Sequence, residues 1–309
     1  MLLAAPTEAA LRQYQAPLAS SDWVMSKSTP LACQLEHAIP RFGTAKFHGE
    51  AGTQNDINMT MDAFRQPRAT GFAQLVAVPP AYKPGLEPAH LATLKVLEGF
   101  DPSLNPKLSW SVLTELEQGN NPTFYYRDGY RKGGEVSVAL NSANFRSGYA
   151  DFVECVGGLL PFGFDDVALT VLNYRSNSDR LELESQRRLR RVAEYVVNDP
   201  AIVKINIDAY SDSYGGRWLN LELSKKRANA IREFLIEQGV DDDKLVSSGY
   251  GERRHISSNE TPLGRQKNRR VVMRLTRDAS LDDYAEQELQ AEQSAGVVQA
   301  AATQTAAPQ

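Results

Sequence analysis

Eight residues, Gly157-Gly-Leu-Leu-Pro-Phe-Gly-Phe164, divide the chain into two stretches with different hydrophobic rhythms. Such a cluster of breakers ends whatever periodicity precedes it, so no single helix or strand runs through it. Upstream, roughly from residue 20 to 155, short partly alternating segments predict strands over Cys33–Ile39, Ala45–Gly49, Asp56–Phe64, Gly71–Val78, Thr123–Tyr130 and Glu135–Leu140. Gly, Pro and Asn clusters bound them, as in a sandwich or barrel. One helix is expected among them, either Pro88–Glu98 or Leu108–Gln118 with a Ser109 or Ser111 cap.

Downstream, helix and strand alternate. Val167–Leu172 is an apolar strand. From Leu181 to Val197, the residues Leu181, Leu189, Val192, Ala193 and Val196 share a helical face. Val203, Ile205, Ile207 and Ala209 alternate with polar neighbours, the pattern of a half-buried strand. A second helix turns Leu223, Ala228, Ile231, Phe234 and Leu235 inward and stops at Gly239. Leu245–Ser248 and Val271–Leu275 add two strands. The expected class is α+β: a β-rich domain over 1–158, then a β-α-β-α-β-β domain over 159–277 with helices on one face of a mixed sheet. Residues 278–309 carry six acidic and no basic side chains and end in Ala/Gln-rich sequence. A disordered tail is expected there, with a short helix around Leu281–Leu289.

Composition excludes several classes. With 42% apolar and 23% charged residues in 309, the chain is neither wholly disordered nor a polytopic membrane protein. It contains no run of about 18 apolar residues, so no transmembrane segment is expected. Residues 159–277 carry 21 basic and 17 acidic side chains with interleaved signs, unlike the one-sign stripe of a nucleic-acid binder. Four scattered histidines and two cysteines, with no CxxC, give no zinc spacing, and neither a metal nor another cofactor is expected. Cys33 and Cys155 fit either one disulfide in an exported protein or two buried thiols in a cytosolic one. The start, MLLAAPTEAALRQ, has no basic n-region, so the chain reads as cytoplasmic or as a mature form without its export signal.

Catalytic motifs do not emerge: GxSxG, HExxH, GxxxxGK[ST] and GxGxxG are all missing from the sequence. Four ordered motifs stand out instead. They are Asp208-Ala-Tyr-Ser-Asp212, Asn220-Leu-Glu-Leu-Ser224-Lys-Lys-Arg227-Ala228, Gly249-Tyr-Gly-Glu252, and a stretch from Asn259 ending in Asn268-Arg269-Arg270-Val271. Together they resemble the OmpA-like domain, a non-covalent peptidoglycan-binding module, over Val167–Thr276. The resemblance implies that Asp212 and Arg227 hold the diaminopimelate of the stem peptide. Ser211, Asn220 and one of Arg269 or Arg270 match further contact positions. The chemistry is coherent: an Asp and an Arg beside one pocket grip an ammonium and a carboxylate together, and the Arg fork does so in two parallel bonds. Asn220, Ser224 and Arg227, at i, i+4 and i+7, share one side of a helix. Asp212, just past a strand end, is expected to be exposed. In an unrelated α/β domain the same pair would read as a structural ion pair closing a loop onto a helix; within this motif set ligand binding is the favoured reading. Ser224 and Ala228 read as packing residues, and Gly249–Glu252 as a turn whose glycines supply positive φ. Ala209-Tyr210 stands where the family has Gly-His, Ser211 where it has Thr, and Arg175 where many members carry an acid.

The stretch from Tyr14 to Gly43 and the Cys33/Cys155 pair resemble the T-ring component family of sodium-driven flagellar motors. A stator subunit would carry a membrane helix, and a lipoprotein would start at Cys. The resemblance implies a disulfide and a non-enzymatic periplasmic role. The first domain would dock on the flagellar basal body beside another T-ring component and help retain stator proteins, while the second binds peptidoglycan. A general wall anchor with an unrelated first domain is the alternative, followed by an enzyme acting on peptidoglycan.

Overall fold

The computed structural model describes residues 11–53, 56–64, 66–127, 134–175 and 180–278. The expected tail and its helix around Leu281–Leu289 lie outside the described residues. The chain forms two compact units, one ending at Pro161 and the other beginning at Phe162.

The first unit contains β1 (Arg12–Gln15), β2 (Val24–Ser28), β3 (Ala32–Ile39), β4 (Gly43–Glu50), β5 (Ile57–Ala63), β6 (Gly71–Val78), β7 (Ala89–Val96) and β8 (Ser103–Leu104). These are followed by α1 (Pro106–Glu117), β9 (Asn121–Arg127), β10 (Glu135–Ala139) and α2 (Phe145–Gly157). They build two five-stranded sheets, ordered β2-β3-β4-β5-β8 and β1-β10-β9-β6-β7. One apolar core joins both sheets to the helices, with Leu35, Phe47 and Met59 from the first, Leu75, Phe124 and Val138 from the second, and Leu116 and Phe152 from α1 and α2. Alternation fixes which face is buried: β4 reads buried and half-buried by turns along Gly43–Gly49.

Of the two helix candidates, the segment near Leu108 is the helix. Asn105 caps it, its side chain accepting from the Leu108 N–H at 3.0 Å, and Pro106 fits the first turn. The segment near Pro88 is instead strand β7. The expectation of one helix is also corrected by α2. Gly148 in its middle reads as a breaker, yet a Cβ there would lie 2.5 Å from the Trp23 carbonyl oxygen, so only glycine lets this helix approach β2. Near the other end of α2, Cys155 is disulfide-bonded to Cys33 of β3.

Around Trp23 the core turns polar in an ordered way. The Trp23 Nε1–H donates to the Asn141 carbonyl at 2.9 Å, and its ring stacks on buried His37 at 4.3 Å. His37 Nδ1 donates to the Asp22 carbonyl at 2.9 Å, and Nε2 accepts the Asn141 N–H at 3.4 Å. Both nitrogens are thereby used in the neutral ring, and burial lowers its pKa from the ordinary 6.5.

The second unit contains α3 (Phe164–Val167), β11 (Leu169–Asn173), α4 (Leu183–Asn198), β12 (Ile202–Ala209), α5 (Arg217–Glu237), β13 (Leu245–Gly249), α6 (Pro262–Asn268) and β14 (Arg270–Arg277). Its sheet runs β11-β14-β12-β13, with β12 and β13 parallel and β14 antiparallel to both of its neighbours. The β-α-β-α-β-β order holds, with α3 and α6 added to it. Helix α4 packs on β11, and α5 packs on β12 and β13. Gly239, at φ +97°, ends α5 as its sequence predicts. Leu223 is 37% exposed rather than turned into the core, because polar Ser224 and Arg227 take the buried stripe at that level of the helix.

Two outcomes test the first unit. The Cys33–Cys155 bond closes a loop of 122 residues, worth about 4–5 kcal/mol in the chain-entropy model. Cys155→Ser should lower the urea midpoint clearly, and reductant should do the same to the native chain. Because the His37 pKa is lowered on folding, the unfolded chain takes up its proton more readily. The stability His37 contributes is therefore complete above about pH 6.5 and is lost as pH falls below that. Unfolding measured across about pH 5–7 should show this acid sensitivity, and His37→Gln should flatten it.

Candidate functional site

The parallel pair β12 and β13 ends at Ala209 and Gly249, and the loops that leave those ends meet the start of β14. The Tyr210 N–H donates to the Arg270 carbonyl at 2.8 Å, and the Ser211 N–H to the Gly251 carbonyl at 2.8 Å. Close backbone approach brings the Gly249–Glu252 turn onto α5. A Cβ on Gly249 would lie 2.4 Å from the Lys225 nitrogen, so that glycine serves contact rather than positive φ. Gly251 does have positive φ, at +60°, and its N–H donates to Ser224 Oγ at 2.9 Å. Ser224 is therefore a fastener between turn and helix.

Asp212 is 9% exposed rather than open at the sheet edge. Its Oδ1 accepts the Tyr214 N–H at 3.1 Å, turning the loop back on itself, and its Oδ2 accepts from Arg269 Nη1 at 2.8 Å. The ion pair thus joins Asp212 to Arg269, not to Arg227. Arg227 is buried on α5 with its guanidinium over the Tyr174 ring, 4.3 Å from the centroid. Tyr174 links the two: its hydroxyl lies 3.5 Å from the Arg227 carbonyl, and its N–H donates to the Arg269 carbonyl at 3.2 Å. Asn220 is buried two turns before Arg227 on α5, donating to Glu252 Oε2 at 3.3 Å, while exposed Arg217 reaches Glu252 Oε1 at 2.9 Å.

Arg270 lies over Tyr210 at 4.1 Å, Tyr210 stacks on Tyr250 at 5.3 Å, and Arg254 covers Tyr250 at 5.1 Å. Arg270 Nη2 donates to the Arg254 carbonyl at 3.0 Å. Burial lowers the Arg270 pKa, a shift opposed by the nearby Tyr210. A guanidinium nevertheless stays cationic at neutral pH. Ser211 Oγ, Arg269 Nε and Arg270 Nη1 are buried without a hydrogen-bond partner among the described residues. Unmet buried donors cost about 1–3 kcal/mol each, and three around one loop mark a place prepared for an acceptor. The arrangement can hold a carboxylate on its guanidinium and hydroxyl donors and an ammonium on Asp212.

Asn268 escaped the sequence reading as a site residue. Its Oδ1 accepts the Ile256 and Ser257 N–H groups, and its Nδ2 donates to Asn259 Oδ1, which also accepts the Ser213 N–H. The signal was an asparagine directly before two arginines. Arg175 contributes its backbone N–H to the Arg180 carbonyl at 3.0 Å, and its side chain is exposed. No group of three or more His, Cys, Asp or Glu among the described residues is placed to hold a metal.

The MotY N-terminal domain family matches residues 14–161, and the OmpA family matches residues 173–269. The chain is 36% identical over 266 residues to the sodium-type flagellar protein MotY of Vibrio parahaemolyticus, covering 86% of this chain and 91% of that protein. The chain belongs to the MotY family. The chain is also 34% identical over 115 residues to the peptidoglycan-binding protein ArfA of Mycobacterium tuberculosis, covering 37% of this chain and 31% of that protein. It is 35% identical over 115 residues to the probable lipoprotein YiaD of Escherichia coli, covering 36% of this chain and 52% of that protein. Within this MotY-family chain, Ser211, Asp212, Asn220, Arg227 and Arg269 lie inside the OmpA match, and Arg270 is one residue beyond it. No described helix is long and apolar enough to cross a membrane.

The rearranged ion pairing has a measurable consequence. In unfolding, Asp212→Asn and Arg269→Gln should couple by about 1–3 kcal/mol in a double-mutant cycle, and Asp212→Asn with Arg227→Gln by less than about 0.5 kcal/mol.

Proposed function

We propose that this protein is a non-enzymatic anchor of the flagellar motor in the periplasm. In this reading the second unit binds peptidoglycan and the first docks on the basal body, beside another ring component and the stators. The observation that carries it is the set of buried, unmet donors around Asp212 in a chain of the MotY family. A diaminopimelate end offers an ammonium and a carboxylate on one carbon. The ammonium takes an Asp212 oxygen, and the carboxylate takes the donors of Ser211, Arg227 and Arg270. Arg269, held by Asp212 in the free protein, turns toward the carboxylate as the ammonium arrives. Asn220 and Glu252, hydrogen-bonded between α5 and the Gly249–Glu252 turn, hold the side of this site.

Co-sedimentation of the full chain with purified sacculi tests this. Asp212→Ala and Arg227→Ala should each weaken binding by roughly tenfold to a hundredfold, the loss of one charge-assisted contact. Arg227→Lys should also bind worse, because one ammonium cannot replace a fork. Unchanged sedimentation of both alanine variants, with native unfolding curves, would overturn the assignment.

A further inference from the structure

The longest edge strand of the first unit is β7, at eight residues, and among the described residues it pairs only with β6. Its pairing skips Leu91, so the regular ladder runs over Ala92–Val96. That stretch has no proline and one formal charge, Lys95, which has no ion-pair partner among the described residues. Natural edges of this kind are shielded or used. Beside it, three phenylalanines face solvent: Phe64 at 75% exposure, Phe72 at 69% and Phe100 at 66%. Phe72 sits opposite Lys95 in the register, and the Gly99 N–H ties the turn of Phe100 to that of Phe64 through the Pro67 carbonyl at 3.0 Å. Behind the strand lies a narrow slot of about 30 Å³, lined in part by Phe42, Met61, Leu94, Val96 and Phe124.

The position is telling. Gly43, paired with Ala63, marks this end of β4, and Gly49 at the other end lies against Leu159, where the chain leaves the unit. Six residues of strand put these ends about 20 Å apart. The surface is therefore remote from the linker.

We propose that Ala92–Val96 receives an extended segment of a different protein by strand addition, with apolar side chains at alternate positions and an acidic residue facing Lys95. A row of unpaired backbone donors and acceptors is met along its length by another strand, and alternate side chains then read the neighbouring slot and phenylalanines. A second copy does not meet this requirement through β7, which contains no acidic residue to place opposite Lys95. As the site of motor docking, this surface rests on the function proposed above.

The test places a photo-cross-linking residue at exposed Thr93, with Thr114 on α1 as control, in the full chain in motile cells. One adduct is expected from Thr93 and none from Thr114. Its peptide should map to a segment with alternating apolar residues and an acid. Lys95→Glu and the exposed pair Phe72→Ser/Phe100→Ser should each reduce the adduct roughly fivefold or more, with sacculus binding and urea midpoint unchanged. Equal labelling at both positions, no adduct, an adduct with a second copy alone, or a helical target segment would each overturn the inference. If the native chain fails to fractionate with basal bodies while the mapped adduct forms, motor docking fails and strand addition stands. If it fractionates without an adduct, only strand addition fails.

Discussion

The second unit depends on guanidinium groups buried against tyrosine rings. Removing an arginine from water is expensive unless something replaces its hydration, and here aromatic faces supply part of that replacement: Tyr174 under Arg227 and Tyr210 under Arg270. The ring quadrupole holds the cation while leaving in-plane N–H groups to point elsewhere. That division explains how Arg270 is fixed in place while its Nη1 still lacks an acceptor. It also accounts for Tyr210, where related modules have a histidine. A tyrosine gives Arg270 a broad face on one side and stacks on Tyr250 with the other.

A site built this way needs its loops held by backbone contact, because flexible loops would let the guanidiniums return to water. Glycine supplies that contact at two places. Gly249 sits against the Lys225 backbone, and Gly264 lies so close to Ser258 that a Cβ would fall 1.9 Å from its carbonyl oxygen. The second approach closes the loop that Asn268 pins from inside through Ile256, Ser257 and Asn259. The loops around Asp212 are therefore held by main-chain packing some distance away.

Much of this was legible from residue spacing, because helix and strand periods are local properties. Asn220, Ser224 and Arg227 share a face wherever α5 forms, and Gly239 ends that helix by its own conformational freedom. What the sequence did not reveal is tertiary. Asp212 chooses Arg269, 57 residues away, over Arg227 because the junction of α6 and β14 places Arg269 beside the loop while the Tyr174 ring engages Arg227. No local pattern encodes that choice. In the first unit the alternating strands were readable, and α2 was not, since Gly148 looks like a breaker until the Trp23 backbone is seen against it. Asp212 exposure was misjudged for the same reason: a strand end is open only until another chain segment covers it.

An anchor is pulled, and the two units meet tension in different ways. In the second unit the chain enters through α3 and reaches β11 at Leu169, and Tyr174, which lies under Arg227, follows the other end of the same strand. Pull between these points runs along β11, whose five residues pair with Arg270–Arg274 of β14. Ladder bonds loaded along the strand axis share the force, whereas bonds peeled from one end break singly. In the first unit the chain leaves just after α2, a helix that could unwind from its C-terminal end. Cys155 lies two residues before that end and is covalently joined to β3, which is paired on both sides within its sheet. Force entering at Gly158 therefore passes through the disulfide into the sheet after very little helix has been stretched. The bond does more than limit the unfolded ensemble: it sets the point at which a pull on the linker is borne by the β-core instead of by α2.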